Sequence, residues 1–183
     1  MSDTISSALQ RLVDQSEIFE CLKRCARGMD RHDAEMIASA YHPDAIDDHG
    51  SFRGTIAAFI DYVNGSDGTA GVHEIMFKEH LHFLTNHTAD IDGDVAHTET
   101  YFIMIGRYRD RKGSGVWLGR YVDRLERRLG EWKIAVRRVV MAASAELTGD
   151  TTLNAEQLVE FVGSTWDKSD ISYQRPLEIP PAS

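Results

Sequence analysis

The stretch from residue 74 to residue 143, "EIMFKEHLHFLTNHTADIDGDVAHTETYFIMIGRYRDRKGSGVWLGRYVDRLERRLGEWKIAVRRVVMAA", constrains the fold more than any other. It breaks at "DGD", "RKGSG" and "RLGEW", and between the breaks lie four runs of ten or more residues rich in Thr, Val, Tyr, Phe and Trp. Such composition suits strands. Connections this short between consecutive strands force antiparallel pairing, so the stretch predicts a long meander. Four strands of that length twist and curl, and need something packed on their concave side.

The preceding residues supply it. Ile18, Leu22, Cys25 and Met29 form a helical stripe between Ser7 and Asp30, widened by Phe19 and Ala26. Asp33 can cap a second helix, Ala34–Tyr41, stopped by Pro43. "DAIDDHGSFRG" reads as a short strand and turn, and Thr55 starts a third helix, "TIAAFIDYVNG", ended by glycine. Helices followed by a meander make an α+β domain with a conical pocket. We place that domain at residues 1–150, and expect a weak helix, "NAEQLVEFVGSTW", and a Pro-rich tail in residues 151–183. The tail is too polar for a core, so it is expected to cover the pocket mouth or a neighbouring subunit through Tyr173 and Pro176.

A net charge of −9 argues against nucleic acid, which needs a basic stripe. The absence of a signal segment and of any membrane-length apolar run points to a cytoplasmic protein. Cys21 and Cys25, four residues apart, read as buried small apolar residues sooner than a disulfide. There is no Gly-rich phosphate loop, no nucleophile elbow and no Cys–His spacing, so neither nucleotide nor covalent chemistry is indicated.

Several polar residues share a strand face or border the apolar stripe, where they suit a wet pocket or solvent. Asp30 borders the apolar stripe in the last turn of its helix, where the macrodipole disfavours a negative charge unless a partner compensates. In "EHLHFLTNH", His80 and His82 share one strand face, opposite Leu81 and Phe83. A His-x-His pair with a remote carboxylate can ligate metal, and that alternative stands beside structural roles. His97, Glu99 and Tyr101 alternate to one face of the next strand, as do Trp117 with Tyr121 and Trp132 with Arg138 in the two after it.

"CARGMDRHD", "AYHPDAIDDHGSFRG", "HLHFLTNHTADIDGDVAHTETYF" and "GRYVDRLERRLGEWKIAVRR" together resemble the SnoaL-like branch of the nuclear transport factor 2 (NTF2-like) superfamily, over roughly residues 10–145. That branch includes scytalone dehydratase, bile-acid 7α-dehydratase, hexachlorocyclohexane dehydrochlorinase, polyketide cyclases and cofactor-free aryl-propane lyases. The resemblance implies a cone of helices on a strongly curved antiparallel sheet. It also implies a catalytic dyad in which Asp30 orients His82 as general base. His49 stands where both dehydratases place a tyrosine, and Cys25 where one of them has a second. Tyr121 matches an aromatic pocket position, and Asp47 replaces a pocket tryptophan, which predicts a more polar cavity.

The expected function is therefore a cofactor-independent lyase, without metal, acting on a hydroxylated aromatic or polycyclic small molecule by dehydration-type elimination or release of a formaldehyde fragment. Asp30, His82 and His49 are its catalytic candidates. Asp47, His97, Glu99, Tyr101, Trp117, Tyr121 and Arg138 are the substrate-binding candidates, with Phe83 a further aromatic. An isomerase or cyclase with the same dyad, or a non-catalytic binding protein, is the alternative. By resemblance the chain pairs as a homodimer or homotrimer.

Overall fold

The structure is a computed structural model that describes residues 2–148 and 162–178, with side chains from residue 7 onward. Helix α1 (Ser2–Arg31) presents Ile18, Cys21, Leu22, Cys25 and Met29 to the core, as the stripe predicts. It ends in a double turn: His32 N–H donates to Met29 O and Asp33 N–H to Gly28 O, with His32 at φ 50°. This is the left-handed cap that usually falls to glycine. Asp33 then caps α2 (Ala34–Ser39), its side chain accepting from Met36 N at 3.0 Å.

The second helix is shorter than its sequence suggests, because Tyr41 is drawn into the sheet. Strand β1 (Tyr41–Asp48) runs parallel to β8 (Glu131–Leu147), so the sheet is mixed and not wholly antiparallel. Pro43 lies in the unpaired stretch between Tyr41 and Ile46, where its missing N–H costs no ladder bond. Strand β2 (Arg53–Thr55) closes a hairpin with β1, and Thr55 caps α3 (Ile56–Asn64), which Gly65 ends at φ 86°. A two-residue hairpin, β3 (Gly65–Ser66) and β4 (Thr69–Ala70), leads to the short α4 (Val72–Met76).

The expected meander follows as β5 (Phe77–Asp92), β6 (Val95–Tyr108), β7 (Ser114–Arg128) and β8, all antiparallel. The sheet order is β2-β1-β8-β7-β6-β5 and the sheet does not close. Register shifts at Leu84/His87, Leu118/Gly119 and Arg124/Leu125 bend it. At Gly106 and Gly119 a side chain would meet the Phe77 and Phe102 rings at 2.6 and 2.7 Å, so these glycines let the aromatics lie flat on the sheet.

One core cluster fills the space between α1, α2, α3 and the sheet around Ile18, Leu22, Ile37, Phe59, Leu125 and Ile134. A second, largely aromatic cluster (Phe77, Phe102, Met104, Tyr108 and Tyr121) packs against Leu84, Trp117, Val139 and Trp166. Cys21 and Cys25 are buried and free. Among the described residues no helix is long and apolar enough to cross a membrane.

Most of the expected helix "NAEQLVEFVGSTW" lies outside the described residues, and its described end, Val162–Trp166, is not helical. The described tail docks on the end of α1. Trp166 stacks on His32 with ring centroids 3.9 Å apart, Tyr173 donates its hydroxyl to Asp33 at 2.7 Å, and Arg31 pairs with Asp170 at 3.3 Å. Pro176 is exposed and no described tail residue lines the cavity beneath the aromatic cluster.

Candidate active site

Between α1, α3, α4 and the concave sheet lies a cavity of about 200 Å³. Its walls are largely apolar, with Phe102, Met104, Trp117 and Tyr121 from the sheet, and three histidines, His49, His73 and His82, are part of its lining. Phe102 and Tyr121 stack at 4.5 Å. Burial pushes the Tyr121 hydroxyl far above its usual pKa, so it serves as a neutral polar contact.

His82 and His49 are each backed by an aspartate. His82 Nδ1 lies 2.6 Å from Asp30 Oδ1, and the His82 backbone N–H donates to both Asp30 oxygens at 3.0 and 3.1 Å. The carboxylate is thus clamped on the strand that carries its histidine, and both side chains are nearly buried, at 6% and 12% exposure. His49, just past β1, bonds through Nδ1 to Asp47 Oδ1, while Asp47 Oδ2 accepts from Tyr41 OH at 2.8 Å. An acceptor carboxylate fixes the tautomer: Nδ1 carries the hydrogen, and Nε2 is left with its lone pair toward the cavity. Among the described residues no protein group bonds to Nε2 of either ring.

Behind Asp47 runs a dry polar chain. Arg137 is forked onto Asp123 with two 2.8 Å bonds, lies over the Tyr121 ring at 4.1 Å and contacts Cys25 Sγ at 3.4 Å. Burial raises the Cys25 thiol and Tyr41 hydroxyl pKa values, which keeps both neutral. The cysteine noted as a departure in the sequence is thus part of this packing and does not reach the cavity.

The placements of the other candidates are mixed. Trp117 and Tyr121 line the cavity. Asp47 does not; it is fully buried behind His49 and orients that ring. His97, Glu99 and Tyr101 were expected inward, but they lie on the outer face, where Glu99 pairs with Arg120 at 2.9 Å. Their neighbours Ala96, Thr98, Thr100 and Phe102 are the buried set, because alternation groups residues by face without saying which face is inside. Arg138 is 69% exposed beside Asp48, and Trp132 is in the core, so a register shift at Arg124/Leu125 separates their environments. Phe83 is also outward, 47% exposed.

Both His80 and His82 point inward, but His82 reaches the cavity while His80 is buried, its Nε2 donating to Met29 O at 3.1 Å. The pairing of Asp47 with His49 was missed in the sequence. An aspartate and a histidine two apart on one strand share a face, and that spacing was the available signal. Met104, which lines the cavity, carried no chemical signal at all.

A family model described as SnoaL-like domain matches residues 10–138. No curated protein matches the chain. Among solved structures, a candidate scytalone dehydratase from Novosphingobium aromaticivorans DSM 12444 superposes with a TM-score of 0.65 at 20% identity, covering 82% of this chain and 94% of that one. LinA does so at 0.72 and 22%, covering 80% and 98%. Hexachlorocyclohexane dehydrochlorinase LinA-type3 from Novosphingobium barchaimii LL02 gives 0.70 and 21%, with the same coverage of 80% and 98%. At these identities the likeness establishes the NTF2-like fold.

Proposed function

The chain belongs to the SnoaL-like domain family, and from that premise we propose that it is a cofactor-independent lyase in which His82 is the general base. The observation that carries the reading is the Asp30–His82 pair at 2.6 Å, whose free Nε2 faces an aromatic cavity. Nε2 takes a proton from a substrate carbon, and the C–H electron pair becomes the new π bond. The leaving group departs from the adjacent carbon; His49, when it enters the reaction as imidazolium, gives it the Nε2 proton, and as the neutral ring it accepts a hydrogen bond from the substrate hydroxyl instead. Asp30 and Asp47 each stabilise the imidazolium form of their histidine through Nδ1–H.

Two such dyads at one cavity suit elimination, which needs a proton removed at one carbon and charge relieved at its neighbour. The names of similar structures, a dehydratase and a dehydrochlorinase, denote eliminations of water and of hydrogen chloride. The stacked Phe102 and Tyr121, with Trp117, favour a flat, hydroxylated aromatic or polycyclic guest.

The test is a turnover screen of hydroxylated aryl-propane, steroid and polyketide-like compounds with no cofactor added. His82→Ala should lose at least about a hundredfold in kcat. Wild-type turnover in that variant would overturn the assignment. Rearrangement without loss of a fragment would make the same base an isomerase.

A further inference from the structure

Beside His82, three more imidazoles converge from three parts of the chain, and one of them, His73, also lines the cavity. His32 is the left-handed residue after α1, His73 lies in α4 and His80 on β5. Ring centroids are 4.4 Å apart for His73–His80, 5.4 Å for His32–His80 and 6.1 Å for His32–His73. One ring nitrogen from each lies within 4.8 Å of the other two. Trp166 of the tail covers the group, stacked on His32 at 3.9 Å and 5.3 Å from His80.

The hydrogen bonding of these rings is incomplete in one consistent way. His32 Nε2, His73 Nδ1 and His80 Nδ1 are all buried, and none has a partner. Burial also lowers all three pKa values, to about 4 for His32, to about 3 for His80 and well below the usual value for His73. The rings are therefore neutral at physiological pH. His80 Nε2 donates to Met29 O, so its Nδ1 holds a lone pair. Buried ring nitrogens normally find a partner, and three without one in a single cluster call for an explanation.

We propose that His32, His73 and His80 bind a divalent transition-metal ion of the zinc, cobalt or nickel type, through the three nitrogens that lack partners. Three imidazoles are a donor set such ions favour, with a fourth position left to water. A tetrahedral site with metal–nitrogen bonds of about 2.0–2.1 Å sets the nitrogens about 3.4 Å apart, a closure that small ring rotations provide. The bond from His80 Nε2–H to a backbone carbonyl is the outer-shell support that metal-bound histidines commonly have. The ion acts as a clip, tying the end of α1 to α4 and β5 beside the dyad. It takes no part in proton abstraction, and the proposal does not rest on the lyase reading.

The experiment titrates metal-stripped full-length protein with Zn²⁺ by calorimetry and with Co²⁺ by visible absorption and tryptophan fluorescence, without substrate. One ion per chain should bind with a sub-micromolar Kd. The Co²⁺ spectrum should be that of a four-coordinate nitrogen site, with quenching that weakens in Trp166→Phe. His73→Ala and His32→Gln should each weaken binding about a hundredfold or more, whereas His82→Ala should leave it unchanged. Absence of stoichiometric binding, or a Kd that survives both ligand substitutions, would overturn the proposal. If a variant fails to fold, the wild-type Co²⁺ spectrum decides, because an octahedral oxygen-rich spectrum is equally contrary.

Discussion

His82 and His49 are alike in their hydrogen bonds and unlike in their surroundings. Asp30 is clamped by the backbone N–H of the histidine it serves, shared between its two oxygens, whereas Asp47 is held by a tyrosine hydroxyl at the edge of a buried polar chain. Asp30→Asn keeps the shape but can present its NH₂ group to the ring, favouring the wrong tautomer. We expect its kcat to fall at least about a hundredfold with KM little changed, measured on the first substrate found. Asp47→Asn should cost less, about tenfold, and only with substrates whose leaving group must be protonated; an equal loss with all substrates would remove His49 from the acid role. Of this site, the sequence alone offered Asp30 at the edge of the apolar stripe and the His80/His82 pair on one strand face, without choosing between the two histidines. The partnership of Asp30 with His82 came from the family resemblance, since a separation of 52 residues leaves the contact to tertiary folding. The outward set His97, Glu99 and Tyr101 shows the complementary limit: period two groups residues but leaves the choice of side to the whole sheet.

Among the elements, the β7–β8 pair carries the largest electrostatic commitment. Asp123 and Arg137 face each other across it, both essentially dry. Asp123→Ala leaves a buried guanidinium without its partner and should destabilise the fold by about 3–5 kcal/mol, read as a lower urea midpoint at unchanged m-value. Gly119→Ala tests the curl of the same strand, because the added methyl meets the Phe102 ring and the Val140 carbonyl. A loss of about 1–3 kcal/mol is expected, and a neutral result would mean that Phe102 can lift off the sheet without penalty. The meander was legible because three short turns separate strands that pair with their sequence neighbours. The parallel pairing of β1 with β8 was not, since it joins segments more than 80 residues apart and no local pattern announces it. The same recruitment of Tyr41 shortened α2.

For the molecule as a whole, the buried imidazoles set how stability responds to acid. His32 and His80 remain neutral in the fold down to about pH 4 and 3, while in the unfolded chain they protonate near 6.5. Below pH 6.5 the unfolded state binds more protons, so stability falls as pH drops through that window and levels off only near the folded values. Metal-stripped protein should therefore lose Tm steadily from pH 6.5 to pH 4, and His80→Phe should flatten the slope; a Tm independent of pH there would mean that the rings are already solvated. The open sheet has a different consequence. His82 hangs from the edge strand β5 and His49 from the far end, beside β2, so the groups that meet in the cavity belong to margins that share no ladder. A guest gripped by both imidazoles is the missing stave of an unfinished barrel. It would draw the margins toward each other, and the slowing of amide exchange along β5 and β1 on binding would measure how far catalysis depends on that closure.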